Sequence, residues 1–138
     1  MLVYRVTAGF PKEELFGLTS QIRRAAVSVP SNIVEGCARD SEAEYLRFLN
    51  IAFGSLRELH YQLHLSKHVG FLPNENSPLL EPKVGETEKV VKRERDRHDV
   101  RDRRDEGRSS KHFSLQPEHL SSYYEAEILS NKRGHFCA

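Results

Sequence analysis

No stretch of the 138 residues is apolar for long enough to cross a bilayer, and Met1 is not followed by the basic and then apolar run of a secretion signal. Cysteine is scarce. Cys37 and Cys137 are far apart and lack CxxC spacing, which excludes a disulfide scaffold and leaves two independent thiols expected in a reducing cytoplasm. Net charge is nearly absent as well: 21 Lys+Arg stand against 20 Asp+Glu, a formal +1. That balance removes the uniform positive field of a histone-like protein or of a general binder of anionic membranes. The catalytic signatures GxSxG, Walker loop and GxGxxG are missing, and Ser and His fall into no triad order. No enzyme and no cofactor are therefore expected, with a histidine-based metal-dependent enzyme or a degraded, inactive chain as the lesser alternatives. The length suits one domain, and 38% hydrophobic with 30% charged residues is polar for a compact chain.

What is present is unevenly spread. Residues 92–108 contain 14 charged side chains among 17 positions, of both signs, with Val100 the single aliphatic one. No apolar face exists there for packing, and mixed signs do not make a nucleic-acid-binding arginine arm; the stretch reads as a solvated helix stitched by Arg–Asp pairs or as disorder, and disorder is the expectation. Residues 73–82 hold three prolines and read as a loop.

Before that point the sequence is helical in period. Ser41 and Glu44 form a capping-box pair, and Tyr45, Leu49, Ala52, Leu56, Leu59 and Leu63 follow at spacings of 4, 3, 4, 3 and 4. Gly70 is the expected left-handed stop. Ala52, Gly54 and Ser55 thin the side-chain layer, which predicts a close helix approach at Gly54. A second stripe runs through Leu18, Ile22, Ala25, Val29, Ile33 and Cys37, with Pro30 in its middle, where a kink is expected. Residues 2–8 read as the last turns of another helix, closed by Gly9, Phe10 and Pro11.

Two blocks then carry a resemblance. One is Phe10-Pro11-Lys12-Glu13-Glu14 with the run from Phe16 through Gln21, Arg23, Arg24, Pro30, Ser31, Asn32 and Glu35 to Gly36. The other is Tyr45-Leu46-Arg47-Phe48-Leu49 with Ala52, Gly54, Ser55, Leu56, Glu58, Leu59 and Leu63. Together they resemble the bacterial four-helix-bundle proteins, also called 23S rRNA intervening-sequence proteins. The resemblance implies an all-α, antiparallel up-down four-helix bundle that assembles into a homo-oligomer, with pentameric rings among relatives. One relative, the accessory variability protein of diversity-generating retroelements, implies possible partners: structured RNA or DNA, or a reverse transcriptase.

This sequence departs from the family pattern at both ends. The first helix is short and lacks the family's Trp-containing segment, and the charged run replaces the apolar stripe of the fourth helix after Val91. The expectation is a helical-bundle domain at 1–91, with helices at about 2–8, 19–38 and 41–69 and the start of a fourth, diverged helix at 83–91. A charged tail at 92–138 follows, and a displaced start with a frame change after Val91 is the expected origin of both departures.

Three candidate sites come from the residues themselves. Arg23, Arg24, Arg39, Arg47, Arg57 and Lys67 are the cations an assembled ring could turn toward a phosphate backbone. Ser28, Ser31, Asn32 and Glu35 gather around the Pro30 kink, where hydroxyls can bond freed carbonyls or form subunit contacts. His60, His64 and His68 recur one turn apart, the spacing that chelates Zn²⁺, but no carboxylate or cysteine nearby in sequence completes a set, and no metal site is expected. The protein is expected to be cytoplasmic and off the membrane.

Overall fold

Terminal chemistry marks the starts of two of the long helices and the end of one. The computed structural model describes residues 2–72 and 77–105, with α1 at Leu2–Thr7, a 3₁₀ turn at Lys12–Glu14, α2 at Leu18–Cys37, α3 at Glu42–His68 and α4 at Ser77–Asp105. All regular structure among the described residues is helical. The Glu14 carboxylate accepts from the backbone N–H of Leu18 at 2.9 Å, satisfying one of the orphan donors at the start of α2. Ser41 caps α3: its hydroxyl oxygen accepts from the Glu44 N–H at 3.2 Å. Gly70 follows α3 at φ +78°, where a side chain would be strained.

The apolar stripes meet in one core. Ile22, Ala25, Ala26, Val29 and Ile33 of α2 face Tyr45, Leu49, Ala52, Leu56, Leu59 and Leu63 of α3, joined by Val3, Val6 and Phe10 at one end and by Leu80, Val84 and Val91 of α4. Each fully buried Leu or Ile removes an apolar side chain from water for roughly 1.5–3 kcal/mol, which outweighs weak local propensity. Contacts between α2 and α3 pair Arg24 with Glu58, Ser28 with Ser55 and Gly36 with Phe48, so partner numbers fall along α3 as they rise along α2. From α3 to α4 the pairs are Lys67 with Glu81, His60 with Glu88 and Glu42 with His98, again in opposite order.

Two expectations change. First, α4 starts at Ser77 rather than at 83, and continues past the expected boundary at Val91 to Asp105. Pro78 falls in the first turn, where the missing N–H would be unpaired anyway, and buried Leu80 and Val84 hold the turn that contains Pro82. Residues 92–105 are thus helical, not a disordered tail; residues 106–138 lie outside the described residues. The physical reason is a seam that changes chemistry without changing spacing. Leu80, Val84, Thr87, Val91, Glu94 and His98 are buried at intervals of 4, 3, 4, 3 and 4, and the last two are polar.

The helix α2 continues through Pro30, with the Ser31 hydroxyl donating to the Val27 carbonyl at 2.9 Å and the Asn32 amide donating to the Ser28 carbonyl at 2.7 Å. Second, the close helix approach is at Gly36, not Gly54. A Cβ on Gly36 would lie 2.8 Å from the Phe48 Cβ, whereas one on Gly54 would meet nothing within 4 Å.

Candidate functional site

The six cations proposed as a phosphate-facing set are mostly engaged within the chain. Arg57 donates to Glu88 Oε1 at 2.7 Å, Lys67 Nζ lies 3.2 Å from Glu81 Oε1, and Arg24 lies 3.8 Å from Glu58. Arg39 pairs with Glu35 one turn earlier and sits over the Phe48 ring. Arg23 donates from Nε to the Thr7 hydroxyl at 2.8 Å and lies 4.9 Å from the Tyr4 ring centroid, which ties α1 to α2. Arg47 is exposed, and no ion pair to it is found among the described residues. Within one copy the set is therefore spread over several helix junctions.

The kink cluster is a joint. Ser28 Oγ lies 2.8 Å from Ser55 Oγ across the α2–α3 contact, and the Asn32 amide also donates to Ser28 Oγ at 3.0 Å. Ser31 is exposed, and Glu35 turns outward to Arg39. The three histidines do share a face. Neighbouring ring centroids are 5.7 and 6.0 Å apart, but His60 Nδ1 faces Glu88 Oε2 at 3.2 Å and His68 Nδ1 lies 2.9 Å from the His64 carbonyl oxygen. Glu88 is held below the usual carboxylate range by the Arg57 guanidinium first and by His60 after it. Among the described residues no group of three or more His, Cys, Asp or Glu side chains is placed to hold a metal ion.

The most constrained polar group is one that the sequence pattern conceals. His98, 5% exposed, lies between two carboxylates: Nδ1 faces Glu42 Oε1 at 2.5 Å and Nε2 faces Glu94 Oε1 at 3.1 Å. Its ring stands edge-on to Tyr45 at 5.1 Å, and Arg97 approaches the other Glu94 oxygen at 2.9 Å. Hydrogen bonding to Glu94 and then Glu42 raises the His98 pKa above the ordinary value, against the opposing effect of burial. The Cys37 thiol at the end of α2 is pushed up by burial and by the negative charge of Glu94. Glu42 sits in the first turn of α3, where the helix dipole favours its charge. The regular spacing of the α4 seam was the available signal for Glu94 and His98, visible only if polar residues are admitted to a buried stripe.

A second feature is apolar. On the outer side of α3, Arg47, Ile51, Gly54, Glu58, Tyr61 and Leu65 recur at 4, 3, 4, 3 and 4, with Ile51, Tyr61 and Leu65 exposed. On α2, Val27 and Val34 are exposed away from α3. No helix of the described residues is long and apolar enough to cross a membrane.

Over the described residues these features define an all-helical protein whose polar side chains chiefly tie helices together and whose helix α3 carries one seam inward and another outward. The chain belongs to the 23S rRNA-intervening sequence protein family, whose model it matches over residues 1–93. Comparison with curated proteins gives no match.

Proposed function

We propose that this chain is an antiparallel up-down four-helix bundle that acts as a non-enzymatic, self-associating binding module. The outward seam of α3 carries the reading. It repeats the inner seam's spacing on the opposite face, and Gly54 leaves a gap at its middle that no side chain of the described residues fills. Laid antiparallel on a second copy, α3 brings Ile51 opposite the partner's Gly54 and Arg47 opposite the partner's Glu58. A knob enters the gap and opposite charges flank it.

Size-exclusion chromatography with light scattering tests this directly. The expected wild-type mass is a multiple of 15.9 kDa. Gly54→Leu fills the gap and is expected to weaken assembly about 10- to 100-fold, the equivalent of roughly 1–3 kcal/mol of overpacking. On a free helix face the same change only raises helix propensity, by up to about 1 kcal/mol. Loss of assembly with full helicity therefore isolates the interface. A wild type that elutes at 15.9 kDa contradicts the reading.

A second reading, binding of structured RNA, draws on the family's description. The exposed Arg47 favours it, while the ion pairs of Arg24, Arg39, Arg57 and Lys67 reduce the field available to phosphate. A salt-dependent gel shift that Arg47→Ala abolishes supports it; no shift at low salt removes it.

A further inference from the structure

Beyond Val91 the described side chains of α4 give it almost no apolar means of staying on α3. Among its described side chains beyond Val91, the attachments are the guanidinium of Arg95 over the Phe53 ring at 4.5 Å and the pair Glu94 and His98. The geometry around His98 imposes a protonation state. Both ring nitrogens face carboxylate oxygens, which only accept when ionised, and a neutral imidazole carries one N–H and one lone pair. Only the imidazolium donates to both. The described groups facing it include Glu42 and Tyr45 from α3 and Glu94 with its partner Arg97 from α4, and the Cys37 thiol at the end of α2 lies within the field of Glu94. With His98 charged, two carboxylates meet the imidazolium and Arg97. With it neutral, one buried carboxylate faces a nitrogen lone pair.

We infer that Glu42, His98 and Glu94 form a proton-dependent latch that fastens the charged half of α4 to the start of α3, closing that end of the helical core at lower pH and releasing it at higher pH. The latch stands whether or not the chain self-associates, because every group in it belongs to one copy. Release would uncover Tyr45, whose ring meets the His98 imidazole edge-on.

The sign follows from linkage. A His whose folded-state pKa is raised contributes stability that is complete below the unfolded value of about 6.5 and is lost as pH rises through the folded value. Each unit of elevation corresponds to about tenfold in the closing equilibrium.

The test is a nitrogen-15 NMR titration of the His98 imidazole in the full chain from pH 5.5 to 9.5. Amide protection over residues 93–98, referenced to a free peptide of that sequence, is read in parallel. The expected result is a His98 midpoint above 6.5 and a total fall in protection of about tenfold per unit of elevation, running from about pH 6.5 up to that midpoint, with protection along α3 from Leu49 to Leu63 unchanged. His98→Gln, with no titrating ring, is expected to show a flat, low protection at 93–98. Should that variant fail to fold, Glu42→Gln removes one of the two charges and is expected to move the midpoint down. A His98 midpoint at or below 6.5, a pH-independent protection in the wild type, or an unmoved midpoint in Glu42→Gln overturns the latch.

Discussion

Replacing Tyr45 with alanine is expected to remove about 3–5 kcal/mol of stability, the range for deleting a large buried aromatic side chain. Tyr45 is 1% exposed and is the largest of the fully buried side chains. It also lies where α2, α3 and α4 come together. Its ring forms part of the wall against Gly36, 3.2 Å from where a Cβ would stand, and its edge-on contact with His98 supports the polar part of the α4 seam. The cavity left by Tyr45→Ala cannot close from the α2 side without shifting backbone, because Gly36 has no side chain to fill it. Domains of this size have total stabilities of about 5–15 kcal/mol, so the loss is a large share. Urea denaturation followed by far-UV circular dichroism checks it. A change below about 1 kcal/mol would mean that the ring is not packed as described.

The second large effect is expected at His98. Alanine there removes the imidazolium that lies between the partly buried Glu42 and Glu94, and breaking such an arrangement from one side costs about 3–5 kcal/mol when burial is complete. Both carboxylates keep some water contact and Glu94 retains Arg97, so about 2–3 kcal/mol is expected here. The cost belongs mainly to the uncompensated charges and only secondarily to the lost imidazole. For that reason Glu42→Gln in the His98→Ala background is expected to recover part of it, while Glu42→Gln alone is destabilising. A double-mutant cycle by chemical denaturation measures the coupling. Additive effects of the two substitutions would show that Glu42 and His98 do not act together.

The sequence is legible where burial and hydrophobicity coincide. The seams of α2 and α3, the Ser41 cap and the Gly70 stop can be read from spacing, because each rests on residues within one helix or one turn. The continuation of α4 is less visible for a definite reason. Glu94 and His98 are buried by virtue of Glu42, more than 50 positions away, and a pattern that sorts residues by polarity ends the helix at Val91. The two glycines show the same limit. Gly36 and Gly54 are both helical, and nothing local says that Phe48 presses on the first while the second faces open space. The cations were legible as charges but not as pairs. The carboxylates that engage Arg57 and Lys67, Glu88 and Glu81, come from α4.

The most direct test of the account is amide hydrogen exchange over residues 92–98 of the full chain at pH 6, compared with residues 84–91. The account expects protection that continues through Glu94 and His98 at a level within about tenfold of that around Val84 and Val91, since all four belong to one buried seam. Exchange at the rate of an unstructured peptide from Lys92 onward, with protection ending at Val91, would contradict it.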